Sequence, residues 1–244
     1  MKRVLATLTL LTGAALLGGN GLAYAQAADS SMAPTTLVPP SDSGTQAGTL
    51  MVRLAATGVI PLNSGSKIEG IGGNIGTTAQ AMPEVDLSYF FTDSISAELI
   101  ATATRHALTA NNTALTPLLG PKIDLGTTYV LPPAIMLQYH FLPHGLINPY
   151  LGAGIDLMWP FDVQPNQFKL GGAQVIQKLG LSNQIGPVFE VGLDYNVAGP
   201  WFLNIDYKQI INRVDARVTT VLGLVKADTN LNPGVFSAGV AYRF

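Results

Sequence analysis

The sequence contains no cysteine and little charge for its length. Only 11% of its 244 residues are charged, while 48% are hydrophobic; soluble globular domains usually carry ~25% charged residues. Without cysteine there can be no disulfide, thiolate zinc site, cysteine nucleophile or lipid-modified N-terminal cysteine. With 13 basic and 15 acidic residues, the chain lacks the basic excess of an electrostatic nucleic-acid binder. This composition indicates that part of the apolar surface contacts a solvent other than water.

The N-terminal residues have the three parts of a secretory signal peptide. Lys2 and Arg3 supply positive charge, residues 4–17 are largely apolar, and residues 23–25 (Ala-Tyr-Ala) form a small-x-small cleavage site. A transmembrane anchor is the alternative, but the apolar stretch is shorter than the ~20 residues that a spanning helix needs. We therefore expect residues 1–25 to be a cleaved signal peptide and the Ser/Thr/Pro-rich residues 26–46 to be a flexible periplasmic segment.

No later stretch is long and apolar enough to predict a spanning helix, because a charge, glycine or proline interrupts each one. An exported protein of this hydrophobicity is then either a soluble β-protein or a closed barrel in an outer membrane. In lipid, only helices and closed barrels satisfy all of their backbone hydrogen bonds.

The dominant pattern in the chain is strict alternation of apolar and polar residues, which indicates half-buried strands. In residues 80–91, for example, Val85 and Leu87 share one face, while Glu84 and Asp86 share the other. Eight segments fit this pattern, an even number as in single-chain bacterial barrels: 48–58, 80–91, 94–104, 129–141, 147–159, 185–195, 201–212 and 233–244.

The connections between these segments alternate in length. Three are tight, whereas those near 60–78, 105–126, 160–184 and 213–231 are long. Aromatic residues gather near the strand ends, as in the two interfacial belts of membrane proteins. We therefore predict an all-β, eight-stranded antiparallel transmembrane β-barrel over residues 47–244, with short periplasmic turns and long extracellular loops.

The last residues form an alternating strand that ends on an aromatic residue. Phe236, Ala238, Val240, Tyr242 and Phe244 share one face. This resembles the terminal strand by which outer-membrane proteins are delivered to the barrel assembly machinery, so Phe244 is the expected assembly signal.

Several short motifs, in order, resemble the OmpW family. They are the pair Arg105-His106, then Leu131-Pro132-Pro133 with Met136 and Gln138, the run Asn148–Ile155, the run Glu190–Tyr195 and the closing Ser237–Phe244. The resemblance covers roughly residues 47–244. It implies an eight-stranded barrel in the outer membrane of a Gram-negative bacterium, with a narrow hydrophobic channel for small apolar molecules. The long-loop sequences differ from the family pattern, so the choice of ligand does not transfer.

The inward-facing charged residues predict a polar plug in the periplasmic half of the barrel. An eight-stranded barrel is only wide enough for side chains or one small ligand. Unpaired charges inside it would cost several kcal/mol each, so we expect ion pairs and hydrogen bonds. A proton or ion path is the alternative for these residues, which are Arg53, Glu84, Asp86, Glu98, Glu190, Asp206 and Lys208.

Higher in the barrel the inward face becomes apolar. Met82, Ile100, Met136 and Met158 are the predicted lining. Methionine adapts its shape to varied apolar ligands, although simple core filling explains the same residues.

Prolines are frequent in the predicted strands. Proline cannot donate to a strand ladder and is confined to edges and bulges. We expect one or more of them to open a gap in the wall for lateral release of apolar solutes, the alternative being that they only bend strands: Pro83, Pro132, Pro133, Pro149 and Pro187.

The sequence gives little support for catalysis or for a cofactor. A Ser88, His140 and Asp86 triad is conceivable, but no nucleophile elbow accompanies it. We therefore expect no enzyme and no cofactor, but a monomeric channel for passive uptake of small hydrophobic molecules, in contact with outer-membrane lipid. The alternatives are a non-conducting structural or adhesive barrel, whose loops serve as receptor for phage, bacteriocin or host molecules, and a secreted soluble binding barrel.

Overall fold

The structure is a computed structural model that describes residues 44–62, 64–220, 223–230 and 232–244. The expected signal peptide, and all but 44–46 of the expected flexible segment, lie outside the described residues. The division at residues 25 and 46 therefore stays a prediction. No helix in the described ranges has the length and apolar character to span a membrane.

Strands make up most of the described chain, with one short helix, α1 (Thr116–Leu119). In chain order the strands are β1 (Leu50–Ile60), β2 (Ser64–Ile68), β3 (Asn74–Thr77), β4 (Gln80–Phe90), β5 (Ile95–Thr102), β6 (Thr104–Asn111), β7 (Lys122–Leu131), β8 (Ala134–His140), β9 (Ile147–Pro165), β10 (Lys169–Leu170), β11 (Ala173–Gln174), β12 (Ile176–Leu181), β13 (Gln184–Ala198), β14 (Trp201–Ile210), β15 (Arg213–Thr220), β16 (Gly223–Asn230) and β17 (Gly234–Arg243).

Eight of these strands close into an antiparallel ring. Its order is β13-β14-β17-β1-β4-β5-β8-β9, and pairing of β9 with β13 closes it. The N-terminal β1 pairs with the C-terminal β17 from Met51 opposite Arg243 to Ile60 opposite Gly234. Closure leaves no exposed sheet edge, which a lipid environment requires. The predicted eight-stranded barrel is confirmed.

The alternation in the sequence corresponds to the two faces of the barrel wall, with apolar residues outside and polar residues inside. Along β4, Glu84 and Asp86 are buried, while Val85 and Leu87 are exposed. The outward face is an apolar band that includes Leu54, Leu99, Ile135, Leu137, Leu151, Phe189, Leu203 and Ile205. Such a band is the surface that a transmembrane barrel presents to acyl chains.

Aromatic residues lie at both ends of this band. Tyr89 packs edge-on against Phe91, with ring centroids 5.4 Å apart, and Trp201 does so against Tyr242 at 4.9 Å. At the other end, Tyr129 stacks on Phe161. These positions match the belts expected at headgroup level.

The four long connections between barrel strands contain further strands, which the sequence pattern did not predict. Outside the membrane, β3, β6, β7 and the upper part of β9 form one sheet, and β12, β15, β16 and β2 form a second. Apolar residues such as Leu108, Leu125, Leu179 and Val218 are buried in one cluster between them. This burial stabilises strands where glycine-rich sequence predicted loops.

Two predicted strands are each divided in the structure. The segment 94–104 breaks between β5 and β6 at Ala103, and 129–141 breaks between β7 and β8 at Pro132 and Pro133. Proline lacks the N–H that a continuous ladder needs, so strand pairing in the barrel wall is interrupted at this level.

Residues 44–49 run across the periplasmic end of the barrel, and we call them the periplasmic strap. The backbone N–H of Thr45 donates to the carbonyl of Pro143, in the β8–β9 turn, at 2.8 Å. The Arg243 guanidinium, at the end of β17, donates to the carbonyl of Gly44. Since β8 and β17 are on opposite sides of the ring, the strap spans its mouth.

A charge placed on the outward face should destabilise the barrel according to its depth. Leu54 is exposed on β1, about midway between the two rims, and Leu54→Arg should lower the free energy of unfolding by about 2–4 kcal/mol because arginine enters hydrocarbon. Val197→Arg, near the periplasmic rim, should cost no more than ~1 kcal/mol. Urea unfolding in lipid vesicles measures both. Equal effects of the two substitutions would contradict the assigned membrane band.

Candidate functional site

The lower interior of the barrel is filled by charged side chains. All seven residues predicted for the plug are at most 5% exposed. They project inward from β1, β4, β5, β13 and β14 and form two connected layers, centred on Arg53 and on Lys208. We call them, with the polar groups they contact, the polar plug.

Arg53 forms the layer nearer the periplasm. Its Nη1 donates to the Glu98 carboxylate and, at 3.1 Å, to Ser88 Oγ, while Nη2 lies 3.3 Å from Asp194 Oδ2. The guanidinium also stacks over the Tyr150 ring, with its central carbon 5.4 Å from the ring centroid. One arginine is thus held by two carboxylates, a hydroxyl and an aromatic face. Bonds to ionised groups of this kind are stronger than neutral ones.

Lys208 forms the layer above. Its Nζ lies 2.6 Å from Asp206 Oδ1, 3.0 Å from Glu84 Oε1 and 3.6 Å from Glu190 Oε1. Ser237 Oγ donates to the same oxygen of Glu84 at 2.9 Å. The ammonium group therefore joins three strands of the ring through carboxylates.

Gln138 connects the two layers. Its Nε2 donates to Glu98 Oε2 at 2.7 Å and to Glu190 Oε2 at 2.8 Å. Sequence analysis missed Gln138 and Asp194 as members of the plug. Both have the inward parity of their strands, and that parity is the signal that could have identified them.

Carboxylates outnumber cations in the polar plug. Six buried carboxylates (Glu84, Asp86, Glu98, Glu190, Asp194 and Asp206) surround two buried cations, Arg53 and Lys208. Two of them, Asp86 (Oδ1) and Glu190 (Oε1), have an oxygen without a hydrogen-bond partner among the described residues. Asp86 lies directly opposite Arg53 across the β1–β4 pair.

An apolar floor lies below the plug. Met51, Phe90, Phe202 and Ala241 form a buried cluster there, and Thr45 of the periplasmic strap is 1% exposed. Side chains therefore fill the lower lumen of the described barrel.

A cavity of about 100 Å³ lies above the plug, and we call it the upper cavity. Glu84 and Lys208 are at its base, and Leu108, Leu125 and Leu179 of the extracellular strands line its upper part. Its side wall is mostly apolar and includes Val59, Ile100, Ala134, Met158, Val188 and Ile210.

Two of the four residues predicted as apolar lining are in the wall of the upper cavity. Ile100 and Met158 line the upper cavity. Met136 and Met82 do not, which corrects the sequence prediction. Met136 lies deeper: its Cε would be 3.1 Å from a Cβ on Gly152, a residue that packs against Glu190. Met82 is half-buried. It lies on the part of β4 that extends beyond the pairing with β5, because that pairing ends at Glu84.

The wall beside the upper cavity contains an interruption of strand pairing. Pairing of β5 with β8 stops at Ile100 opposite Ala134, and pairing of β6 with β7 resumes at Thr104 opposite Val130. Residues 101–103 and 131–133 between these points have no ladder partners across this seam. We call these two stretches the wall break. Pro132 lies in it and lines the upper cavity.

The other prolines differ in position. Pro83 is at the edge of the same region, because the β4–β5 pairing ends at the next residue, Glu84. Pro149 pairs opposite Leu193 and Pro187 opposite Ile155. Both also accept a backbone hydrogen bond on their other side, from Phe141 and Ile211 respectively. Pro149 and Pro187 are thus part of the paired wall, and the structure does not bring them to the wall break.

The conceivable catalytic triad is not assembled. His140 contacts Ser96 Oγ at 3.3 Å and Asn148 Nδ2 at 3.1 Å, while Ser88 hydrogen-bonds Arg53 and Glu98. These residues therefore belong to the packing and bonding of the polar plug.

Phe244 follows β17 and continues its pairing. Its backbone N–H donates to the carbonyl of Leu50 at 2.8 Å, and its ring is 70% exposed. The exposed ring is 4.7 Å from that of Tyr242.

Comparison with known proteins gives a consistent result. A model of the OmpW family matches residues 46–244. The chain is 35% identical to the uncharacterized outer-membrane protein y4mB of Sinorhizobium fredii, over 85% of this chain and 86% of that protein. It is 29% identical to outer membrane protein W of Vibrio cholerae, over 82% and 90%. It is 28% identical to outer membrane protein AlkL of Ectopseudomonas oleovorans, over 65% and 64%.

Solved structures with the same fold are also found. The crystal structure of OprG from Pseudomonas aeruginosa superposes with a TM-score of 0.73 at 23% identity, covering 82% of this chain and 98% of that one. The structure of AlkL in lipid bilayers gives 0.62 at 21% identity, covering 84% and 94%. Together with the named outer-membrane relatives, they assign this barrel to the outer membrane.

Removing the upper cation should destabilise the barrel. Lys208→Met should lower the free energy of unfolding by about 3–5 kcal/mol, because it leaves buried carboxylates uncompensated. Adding Glu84→Gln should recover part of that loss by removing one of them. Urea unfolding in lipid vesicles measures both changes. Arg217→Met on the exposed face of β15 is the control, and it should lower the free energy of unfolding by less than ~0.5 kcal/mol. If Lys208→Met lowers it no more than this control does, the plug does not stabilise the barrel.

Proposed function

The chain belongs to the OmpW family, and from that membership we propose that it is an outer-membrane channel for passive uptake of small hydrophobic molecules. The observation that carries the proposal is the position of the upper cavity. Its lining includes Pro132, which lies in the wall break, and the four residues that flank the break: Ile100, Thr104, Val130 and Ala134. A solute in this cavity is therefore next to the wall break, where the β5–β6 side of the wall is not paired with the β7–β8 side.

The filled lower lumen favours an exit through the wall. A solute passing along the axis would have to displace the ion pairs of Arg53 and Lys208. Breaking a buried pair costs several kcal/mol. Lateral release at the wall break instead moves an apolar solute directly from the upper cavity into the acyl chains.

Transfer of apolar surface out of water supplies the driving force, at ~25 cal/mol per Å². The direction then follows the concentration gradient, and no catalysis or energy source is needed. Entry would occur between the two extracellular sheets, whose facing sides are apolar. This path between the sheets would carry an apolar solute past the polar headgroups of the outer leaflet. Those headgroups otherwise hinder the entry of apolar solutes.

The same proposal includes maturation of the protein. Residues 1–25 direct export and are removed, and residues 47–244 fold into the barrel. The exposed C-terminal ring of Phe244 is suited to recognition by the barrel assembly machinery. The closed ring needs no second copy to satisfy its strand edges, which supports a monomer surrounded by lipid.

A second candidate function is a receptor for phage, bacteriocin or host molecules. The extracellular sheet that contains β15 favours it, because β15 presents Arg213, Asp215 and Arg217 on its exposed face. This role requires no solute movement. Flux measurements therefore separate the two functions.

Uptake into liposomes that contain the purified barrel tests the channel directly. Toluene should enter an internal reporter phase faster than in empty liposomes. Pro132→Val with Pro133→Val should slow this uptake at least severalfold, because restored N–H groups can close the wall break. Pro149→Val, in the paired wall, is the matched control and should leave uptake unchanged.

Two results would contradict the proposal. No flux above empty liposomes would favour the receptor function. Unchanged flux in the Pro132 and Pro133 variant would remove the lateral route.

A further inference from the structure

A single acidic side chain lies in the apolar wall of the upper cavity. Asp156, on β9, lines the cavity and is 1% exposed. Its neighbours across the two adjacent strand pairs are Ala134 of β8 and Gly186 of β13. Neither can pair with a carboxylate through its side chain.

Only one of the two carboxylate oxygens of Asp156 is satisfied. Oδ1 accepts a hydrogen bond from Asn212 Nδ2 at 2.7 Å. Oδ2 makes no hydrogen bond with any described residue. A buried polar atom left without a partner is costly, so such an atom in a cavity wall is expected to have a partner in the functional state.

Packing fixes the orientation of Asn212. A Cβ atom added to Gly186 would lie 1.9 Å from Asn212 Oδ1 and 2.2 Å from the Ile211 carbonyl. Glycine at position 186 therefore leaves just enough room for the amide oxygen. With that oxygen against Gly186, the amide nitrogen faces Asp156, so Asn212 orients the carboxylate and leaves Oδ2 buried without a hydrogen-bond donor.

Among the other described polar side chains in the cavity wall, the Asn212 amide oxygen also lacks a partner, but it is packed against Gly186. Lys208 is bound to Glu84 and Asp206 at the base. The His106 ring lies 2.9 Å from both the Thr78 carbonyl and Thr104 Oγ1. These groups are engaged, so Asp156 Oδ2 is the acceptor that a solute would find.

We propose that Asp156 is the polar anchor of a ligand site in the upper cavity, and that the site takes small apolar molecules carrying one hydrogen-bond donor, either a hydroxyl or a protonated amine. This inference rests on the proposed uptake function and specifies its substrate class. The cavity of about 100 Å³ is comparable with the ~150 Å³ apolar cavities that hold benzene. The ligand body is therefore of about that size.

The anchor is next to the proposed exit. Leu157, the residue after Asp156, donates its backbone N–H to the carbonyl of Pro133 at 2.9 Å. A molecule whose donor is bound to Asp156 has its apolar part among Ala134, Met158 and Val188. It is then held beside the wall break.

Four ligands of similar size test the anchor: toluene, benzyl alcohol, protonated benzylamine and benzaldehyde. Calorimetric titration of the barrel in lipid nanodiscs, corrected with empty nanodiscs, gives each affinity. Benzyl alcohol and benzylamine should bind about tenfold or more tightly than toluene, as for a hydrogen bond to a charged group. Benzaldehyde, which only accepts hydrogen bonds, should not gain over toluene.

Variants assign the preference to Asp156. Asp156→Asn keeps the shape but removes the carboxylate, and should reduce the advantage of benzyl alcohol and benzylamine at least severalfold without weakening toluene. Thr128→Val is the matched control, because Thr128 also lines the cavity but its hydroxyl already donates to the carbonyl of Tyr129 at 3.0 Å. The control should keep the full preference.

The proposal is overturned if benzaldehyde binds the native barrel as tightly as benzyl alcohol. It is also overturned if the order of the four ligands is the same in the Asp156→Asn variant. Either result leaves toluene flux through the native barrel intact, so it is distinguishable from failure of the uptake function. Uptake itself fails only if liposomes with the native barrel show no flux at all.

Discussion

The structure depends on how a narrow barrel satisfies the charges inside it. An eight-stranded ring has no room for bulk water around its inward side chains, yet the polar plug alone buries six carboxylates and two cations there. They are accommodated because Arg53 and Lys208 each contact several carboxylates and because Gln138 joins the two groups. Each cation thus links strands that are far apart in the chain.

This network decides where a solute can go. Because it fills the lower lumen, the remaining space is the upper cavity, whose side wall is apolar. The wall is weakest where strand pairing is interrupted between Ile100–Ala134 and Thr104–Val130. The cavity lies above the plug and the wall break lies beside the cavity, and the uptake mechanism follows from this arrangement.

Much of this architecture could be predicted from local sequence pattern. Alternation assigned the inward charges and outward apolar residues correctly, because a strand in a barrel wall has only two faces. It could not give depth: Met136 has the right parity to line the cavity but lies below it, packed over Gly152. Alternation also does not determine which inward side chains bond to one another, which is why Asp194 and Gln138 were missed. The extracellular strands escaped prediction because their stability comes from burying residues such as Leu108 and Val218 in one cluster, which brings distant segments of the chain together.

The most direct test of the account uses a reversible staple across the wall break. Because the chain has no cysteine of its own, Thr102→Cys with Pro132→Cys introduces one pair of thiols on its inner side, and Leu99→Cys with Ile135→Cys provides a control pair in the continuous ladder. Toluene uptake into liposomes is then followed before and after oxidation. The change in electrophoretic mobility of the protein verifies that the disulfide has formed. The account predicts that oxidation of the first pair alone brings uptake to the level of empty liposomes and that reduction restores it. Unchanged uptake through the oxidised barrel would contradict lateral release.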